Sequence, residues 1–327
     1  MVSKKIMEKK RIAYLDFIKV LAMFIVTVGH CAQALSCKTF PEKLIPNDLF
    51  VTIRMPLFMI ASGFVLNFEK IRATPFKDYI SNKFTRLIVP MIAWLAIYSI
   101  FTIRIPGING IFTTYWYLVA LFFSLITIRL FSSFIKNNTL LVIITLLFIL
   151  ANPLSRTAHT NFMFPFLVYG YLLKKFINKM NIAYSIPFAI VFIILYTFYW
   201  GIEHTVYLSP LDTSNINKGM IYSFLLRFTI GVTGSMFIFL LAKKFDHTQL
   251  IQKVSKYGNY TLAFYTMTAV INGVTRHFFS FIDFNISNPM LLDITSIFFA
   301  LLQMYVIYKF AKTIEKNNLA SKFLLGN

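Results

Sequence analysis

Charge is scarce in this sequence. Charged residues make up 13% of its 327 positions. That is about half the share a soluble domain usually carries, and too little to coat a water-soluble globule of this size. Cysteine is scarcer: Cys31 and Cys37 are the only two, so there is no disulfide framework and both read as free thiols. No low-complexity tract and no internal repeat breaks the chain, which reads as one domain over 1–327 with no separate soluble part. A small-residue cleavage site is missing after the first apolar run. MVSKKIMEKKR and the stretch behind it therefore read as the start of a retained helix, not as a removed signal peptide.

What fills the chain instead is apolar, with 57% hydrophobic residues. A helix needs about 20 such residues to cross a hydrocarbon layer of ~30 Å. Candidate segments lie near 12–35, 47–68, 86–104, 114–135, 138–155, 161–177, 183–202, 220–242, 257–279 and 288–311. The expected fold is all-α: a polytopic transmembrane helical bundle of about ten helices with both termini cytoplasmic. The segment 257–279 is rich in Thr, Asn and Tyr, so it is expected to face the protein interior or a cavity.

The net charge of +20 might suggest a nucleic-acid partner, but position argues against one. The basic residues form short clusters between apolar runs. With the N-terminus inside, twenty-three Lys and Arg fall on the inner side, six on the outer side and three within helices. A bias that alternates at every crossing supports the helix number and the orientation. None of the outer loops is long enough for a separate extracellular catalytic domain, so any chemistry is expected in the membrane core.

Ionisable residues inside a span are costly and by default mark function. The first helix holds three: Asp16, Lys19 and His30. At 100° per residue, Lys19 and His30 fall about 20° apart around the axis and about 16 Å apart along it. Asp16 stands at i, i+3 from Lys19, so all three share one stripe. Arg54, about 10 Å into the second helix from its outer edge, is at a depth where it can meet His30. Ser62 and Gly63 behind it permit close helix approach. Lys83 and Arg86 flank the inner start of the third helix, where they either set topology or bind an anionic head group. Arg227 and Asp293 are further intramembrane charges that could pair. For Trp116 and Tyr117 an interfacial aromatic belt is the plain explanation. Nothing in the sequence suggests a metal site.

These residues carry a resemblance. RIAYLDFIKVLAMFIVTVGH resembles the opening helix of the acyltransferase-3 family of bacterial membrane proteins, in which a basic residue and a histidine stand ten intervening positions apart. Lys19 and His30 match that spacing, with Lys where many members have Arg. The likeness runs on through RMPLFMIASGF, KFTRLIVP, WYLVAL, FLVYGYLL and GNYTLAFYTMT, which ends on Thr268 where the family often has a histidine. The resemblance implies transfer of an acyl group, commonly acetyl, from a cytoplasmic acetyl-CoA or other acyl-CoA. The acceptor it implies is a hydroxyl of a cell-surface or lipid-linked glycan, and the location the bacterial inner membrane.

On that reading Lys19, Lys83 and Arg86 would hold the donor's phosphates, and His30 would act as general base or transient acyl carrier. Arg54 would stabilise the developing oxyanion and Asp16 would orient Lys19. Two other readings remain open here. One is a transporter or flippase of a small solute or lipid-linked sugar, weakened by the lack of an inverted repeat or paired broken helices. The other is an assembly protein with no chemistry of its own.

Overall fold

A computed structural model describes residues 11–37, 45–102, 114–152, 158–206, 208, 210–212 and 216–326. Among these residues there are helices and turns and no strand. Among the described residues the main helical segments overlap the predicted apolar runs. They are α1 (Ala13–Leu35), α2 (Ile45–Phe64), α4–α5 (Phe76–Lys83 and Val89–Thr102, joined by a π-helical turn Phe84–Ile88), α6 (Trp116–Ser132) and α7 (Asn138–Ala151). The rest are α8 (Thr160–Phe176), α9 (Ser185–Tyr199), α10 (Lys218–Lys244), α12 (Thr261–Phe281) and α13 (Pro289–Ile314). Short helices α3 (Phe68–Ala73), α11 (Gln249–Ser255) and α14 (Asn318–Leu324) join or end them. Among the described residues five stretches are long and apolar enough to cross a membrane: 13–35, 76–102, 182–199, 218–244 and 289–314.

Asparagine starts many of these elements. Asn137 accepts from the backbone N–H groups of Thr139 and Leu140 at 2.9 and 3.1 Å, Asn217 from Met220 at 2.9 Å, and Asn288 from Leu291 at 3.0 Å. Each bond satisfies a donor that the first helical turn leaves orphaned. Pro289, directly after Asn288, sits at the one helical position where a missing N–H costs nothing.

Burial ranks the helices. In the α1 span 67% of residues are buried within the protein, against 11% for 182–199 and 22% for 289–314, which makes α1 the central helix and the other two peripheral. The peripheral helices present large apolar side chains outward, Phe198 and Phe298 among them, as a surface bathed in lipid tails would. Helix α1 packs against α2, α12, α13 and α10. At its start the Tyr14 N–H donates to Asp246, just past α10 (2.8 Å), and at its end Leu35 accepts from the Ile286 N–H, just before α13 (2.9 Å). Helix α12 therefore carries the chain from one end of α1 to the other.

The expectation that 257–279 faces inward holds: Thr266 and Thr268 are fully buried and Asn272 nearly so. Trp116 and Tyr117 do not form a belt. With Tyr115 they are buried in the interior, and the Tyr115 hydroxyl donates to the Thr266 carbonyl at 3.0 Å. Ser62 and Gly63 act as the small residues predicted, with Gly63 set directly against the Leu167 carbonyl of α8. Both cysteines are free, and the Cys31 thiol donates to Gln303 at 3.2 Å.

Candidate active site

At the foot of α1, Lys19 Nζ lies 3.6 Å from Asp16 Oδ1, the i, i+3 pair that the helical spacing predicts. Asp16 has a second cation: Arg11 Nη2 is 2.8 Å from its Oδ2. Arg11 was expected only to mark the cytoplasmic side, and here it also closes this cluster. Gly258, in the short 3₁₀ turn before α12, packs so closely on Asp16 that a Cβ there would stand 2.6 Å from the Asp16 Cβ. The carboxylate is therefore fixed in position and charge-paired on the stripe.

Further along α1 the facing surfaces of α12 and α13 are polar. Thr27 and Thr268 share a hydrogen bond at 3.3 Å, and Thr27 also donates to the Met23 carbonyl at 2.8 Å. Asn272 donates to Gln303 at 3.0 Å, joining Cys31 in one buried chain. Sequence reading had no signal for Gln303, a lone amide in an apolar helix. Thr268 stands on this chain, its carbonyl accepting from Asn272 at 3.0 Å.

His30 stands near the far end of the stripe, partly buried, with Nδ1 3.2 Å from Gln33 Oε1. The Arg54 guanidinium is within electrostatic reach of His30, and Arg54 itself is buried. The structure thus brings together His30 and Arg54 from adjoining antiparallel helices. One turn past Arg54, Phe58 packs edge-on against Tyr117, whose hydroxyl lies 3.2 Å from that of Ser62.

Arg54 also lines a small cavity of about 40 Å³ between α2, α6, α8, α10 and the segment after α9. Its walls include Trp116, Phe162, Trp200, Thr205 and Arg227. Pro56, on the same wall, has no N–H to offer the Thr52 carbonyl one turn earlier, so the helix ladder is open beside Arg54. The Arg227–Asp293 pairing that the sequence leaves open is not formed: among the described residues the Arg227 guanidinium has no hydrogen-bond partner, and it lies 4.8 Å from the Phe162 ring centroid.

Lys83 and Arg86 fall at and inside the π-helical turn of α4–α5. Such turns are rare and concentrate at functional sites. Lys83 lies over the Tyr79 ring at 5.3 Å. Arg86 is exposed and lines an open cleft with Asn82, Thr85 and Lys322, the last from α14. Lys19 is not among the residues of that cleft. The six sequence-selected residues therefore fall into three places: Asp16 with Lys19, His30 with Arg54, and Arg86 with Lys83 nearby. Among the described residues no group of three His, Cys, Asp or Glu side chains converges to hold a metal ion.

The pattern of the acyltransferase-3 family, described as an acyltransferase domain, matches residues 12–309. Among curated proteins the chain is similar to the nodulation protein NolL of Sinorhizobium fredii, 24% identical over 181 residues. That alignment covers 50% of this chain and 49% of the relative. The NolL of Mesorhizobium japonicum is 25% identical over 185 residues, covering 51% of this chain and 48% of the relative. The chain thus spans about half the length of the curated relatives it matches. No solved structure matches.

Proposed function

Given that the chain belongs to the acyltransferase-3 family, we propose that it is a membrane acyltransferase. On this reading it moves an acyl group, taken as acetyl, from a cytoplasmic acyl-CoA to a hydroxyl of a cell-surface or lipid-linked glycan. The observation that carries the reading is that the Arg54 charge reaches His30 from the neighbouring helix, on the stripe that also holds the Asp16–Lys19 pair.

The chemistry asks for a base and a positive group next to each other. His30 removes the proton of the acceptor hydroxyl. The freed oxygen attacks the thioester carbonyl, and the carbon–sulfur bond breaks. The CoA thiolate leaves with that proton. Arg54 stabilises the negative charge that develops on the carbonyl oxygen, in a buried place where such a contact counts for more than in water. Lys19, oriented by Asp16, and Lys83 and Arg86 at the same end of the bundle attract the donor's phosphates. That end is read as cytoplasmic, in a ten-span bundle of the bacterial inner membrane, so donor and acceptor meet from opposite sides.

The test is binding of CoA and acetyl-CoA to the full-length protein in detergent, wild type beside His30→Ala and Lys19→Ala. Binding by wild type, weakened in Lys19→Ala and retained without turnover in His30→Ala, supports the reading. If wild type binds neither ligand, the reading fails and solute uptake becomes the assay of choice.

A further inference from the structure

The cavity beside Arg54 holds polar groups that the transfer step leaves unused. All three nitrogens of the Arg227 guanidinium are buried with no hydrogen-bond partner among the described residues, and so is the Thr205 hydroxyl. Arg227 is 4% exposed. Its wall-mates include a second guanidinium, that of Arg54, and no Asp or Glu. A buried cation without a counter-charge is strongly unfavourable because it has lost its hydration, and more so at membrane depth. Proteins keep such groups where a ligand supplies the missing partner. The remaining walls point to the rest of that ligand. Trp116 and Trp200 are broad flat faces, and the Trp200 indole N–H donates to Asp48 at 3.2 Å, which fixes its ring. At about 40 Å³ the recess admits the anionic group alone, between two arginines and a hydroxyl, with the tryptophan faces left to contact the ring that carries it.

We propose that this cavity is the acceptor subsite and that it takes an anionic group. That group is the carboxylate of an acidic sugar or a phosphate of the sugar's lipid carrier, bound by Arg227 and Thr205 with Trp116 and Trp200 against the sugar. This rests on the reading of His30 as the transfer centre, because Arg54 belongs to both places and an acceptor seated on Arg227 extends toward His30. The chain then selects negatively charged acceptors over neutral ones.

The test uses full-length protein in phosphatidylcholine nanodiscs, titrated with methyl β-glucuronide, methyl β-glucoside and glycerol phosphate while tryptophan fluorescence is followed. An anionic probe should saturate and the neutral glucoside should bind at least tenfold more weakly. Tighter binding of the glucuronide assigns the anion to the sugar, and tighter binding of glycerol phosphate assigns it to the carrier. Arg227→Met should weaken the anionic probe at least tenfold yet unfold at the same or a higher temperature, since it removes an unsatisfied buried charge. Arg227→Lys should retain part of the binding.

Equal binding of charged and neutral probes, no binding of either, or unchanged binding in Arg227→Met overturns the proposal. So does loss of probe binding when phosphatidylglycerol replaces phosphatidylcholine, because a lipid head group then fills the cavity. Acetyl-CoA binding by the same samples separates the two readings. If acetyl-CoA binds and no anion does, only the subsite falls. If an anion binds through Arg227 and acetyl-CoA does not, only the transfer reading falls.

Discussion

Gly63 and Gly170 hold α2 and α8 in backbone contact. The Leu167 carbonyl occupies the place of a Cβ on Gly63, and the Ile60 carbonyl that of a Cβ on Gly170. Each glycine meets the residue three before the other, the symmetry of two helices running parallel at one level. The Lys174 ammonium, further along α8, donates to the Leu66 carbonyl just past α2, as that register requires. This contact sets the spacing of the wall that carries Arg54.

Gly63→Ala and Gly170→Ala should each force the two backbones apart, because the neighbour is a carbonyl and not a mobile side-chain tip. Destabilisation of about 1–3 kcal/mol is expected, the usual range for overpacking. Thermal unfolding in detergent measures it. An unchanged unfolding temperature in both variants would show that the helices are free to separate.

His30→Ala should lower transfer by roughly 10²–10⁴-fold, the ordinary contribution of a positioned acid–base group. Unfolding temperature and acetyl-CoA binding should stay near wild type. Turnover close to wild type would remove His30 from the reaction.

Lys19→Ala and Arg86→Gln should each weaken acyl-CoA binding about tenfold, since a hydrogen bond to a charged partner contributes about 1.5–3 kcal/mol. The effect of Arg86, which is exposed, should shrink as ionic strength rises, because salt screens exposed charges beyond about 10 Å. Titrations at low and high salt read this directly. Salt-independent loss in Arg86→Gln would point to a packing role instead.

Gly258→Ala places a methyl 3.0 Å from Asp16 Oδ1 and closer still to its Cβ. Asp16 must move, and its 3.6 Å contact with Lys19 with it. Weaker acyl-CoA binding with His30 chemistry intact is expected, seen as a raised KM at little-changed kcat. A fall in kcat alone would mean that Asp16 and Lys19 do not act on the donor.

The helices and the α1 stripe were legible because both follow from arithmetic within one segment. Apolar run length places a helix, and the 100° step aligns Asp16, Lys19 and His30. What escaped depends on which helices are neighbours. Trp116 and Tyr117 sit at a segment end, where aromatic residues usually meet the interface, and only ring contacts with other segments, Trp116 with His159 and Tyr117 with Phe58 and Tyr265, turn them inward. Arg227 lies nine residues into α10 and Asp293 only four into α13, so the two charges sit at different levels. Trp200 and Thr205 reach the cavity of Arg54 from a segment that carries no motif, so no spacing announces them. Gln303 looks like any polar exception in a long helix until Cys31 and Asn272 are seen on either side of it.

The π-helical turn at Phe84–Ile88 divides a 27-residue run, Phe76–Thr102, into two differently phased rods. One surplus residue in the winding rotates the lower rod by about 100° against the upper. Removing a single residue there would mend the winding and keep every backbone bond, yet it would swing the side of Arg86 away from Lys322. The run works as a geared joint. Its upper half is timed to the lipid and its lower half to the cleft, and a change of one residue in length does more to it than most changes of residue type.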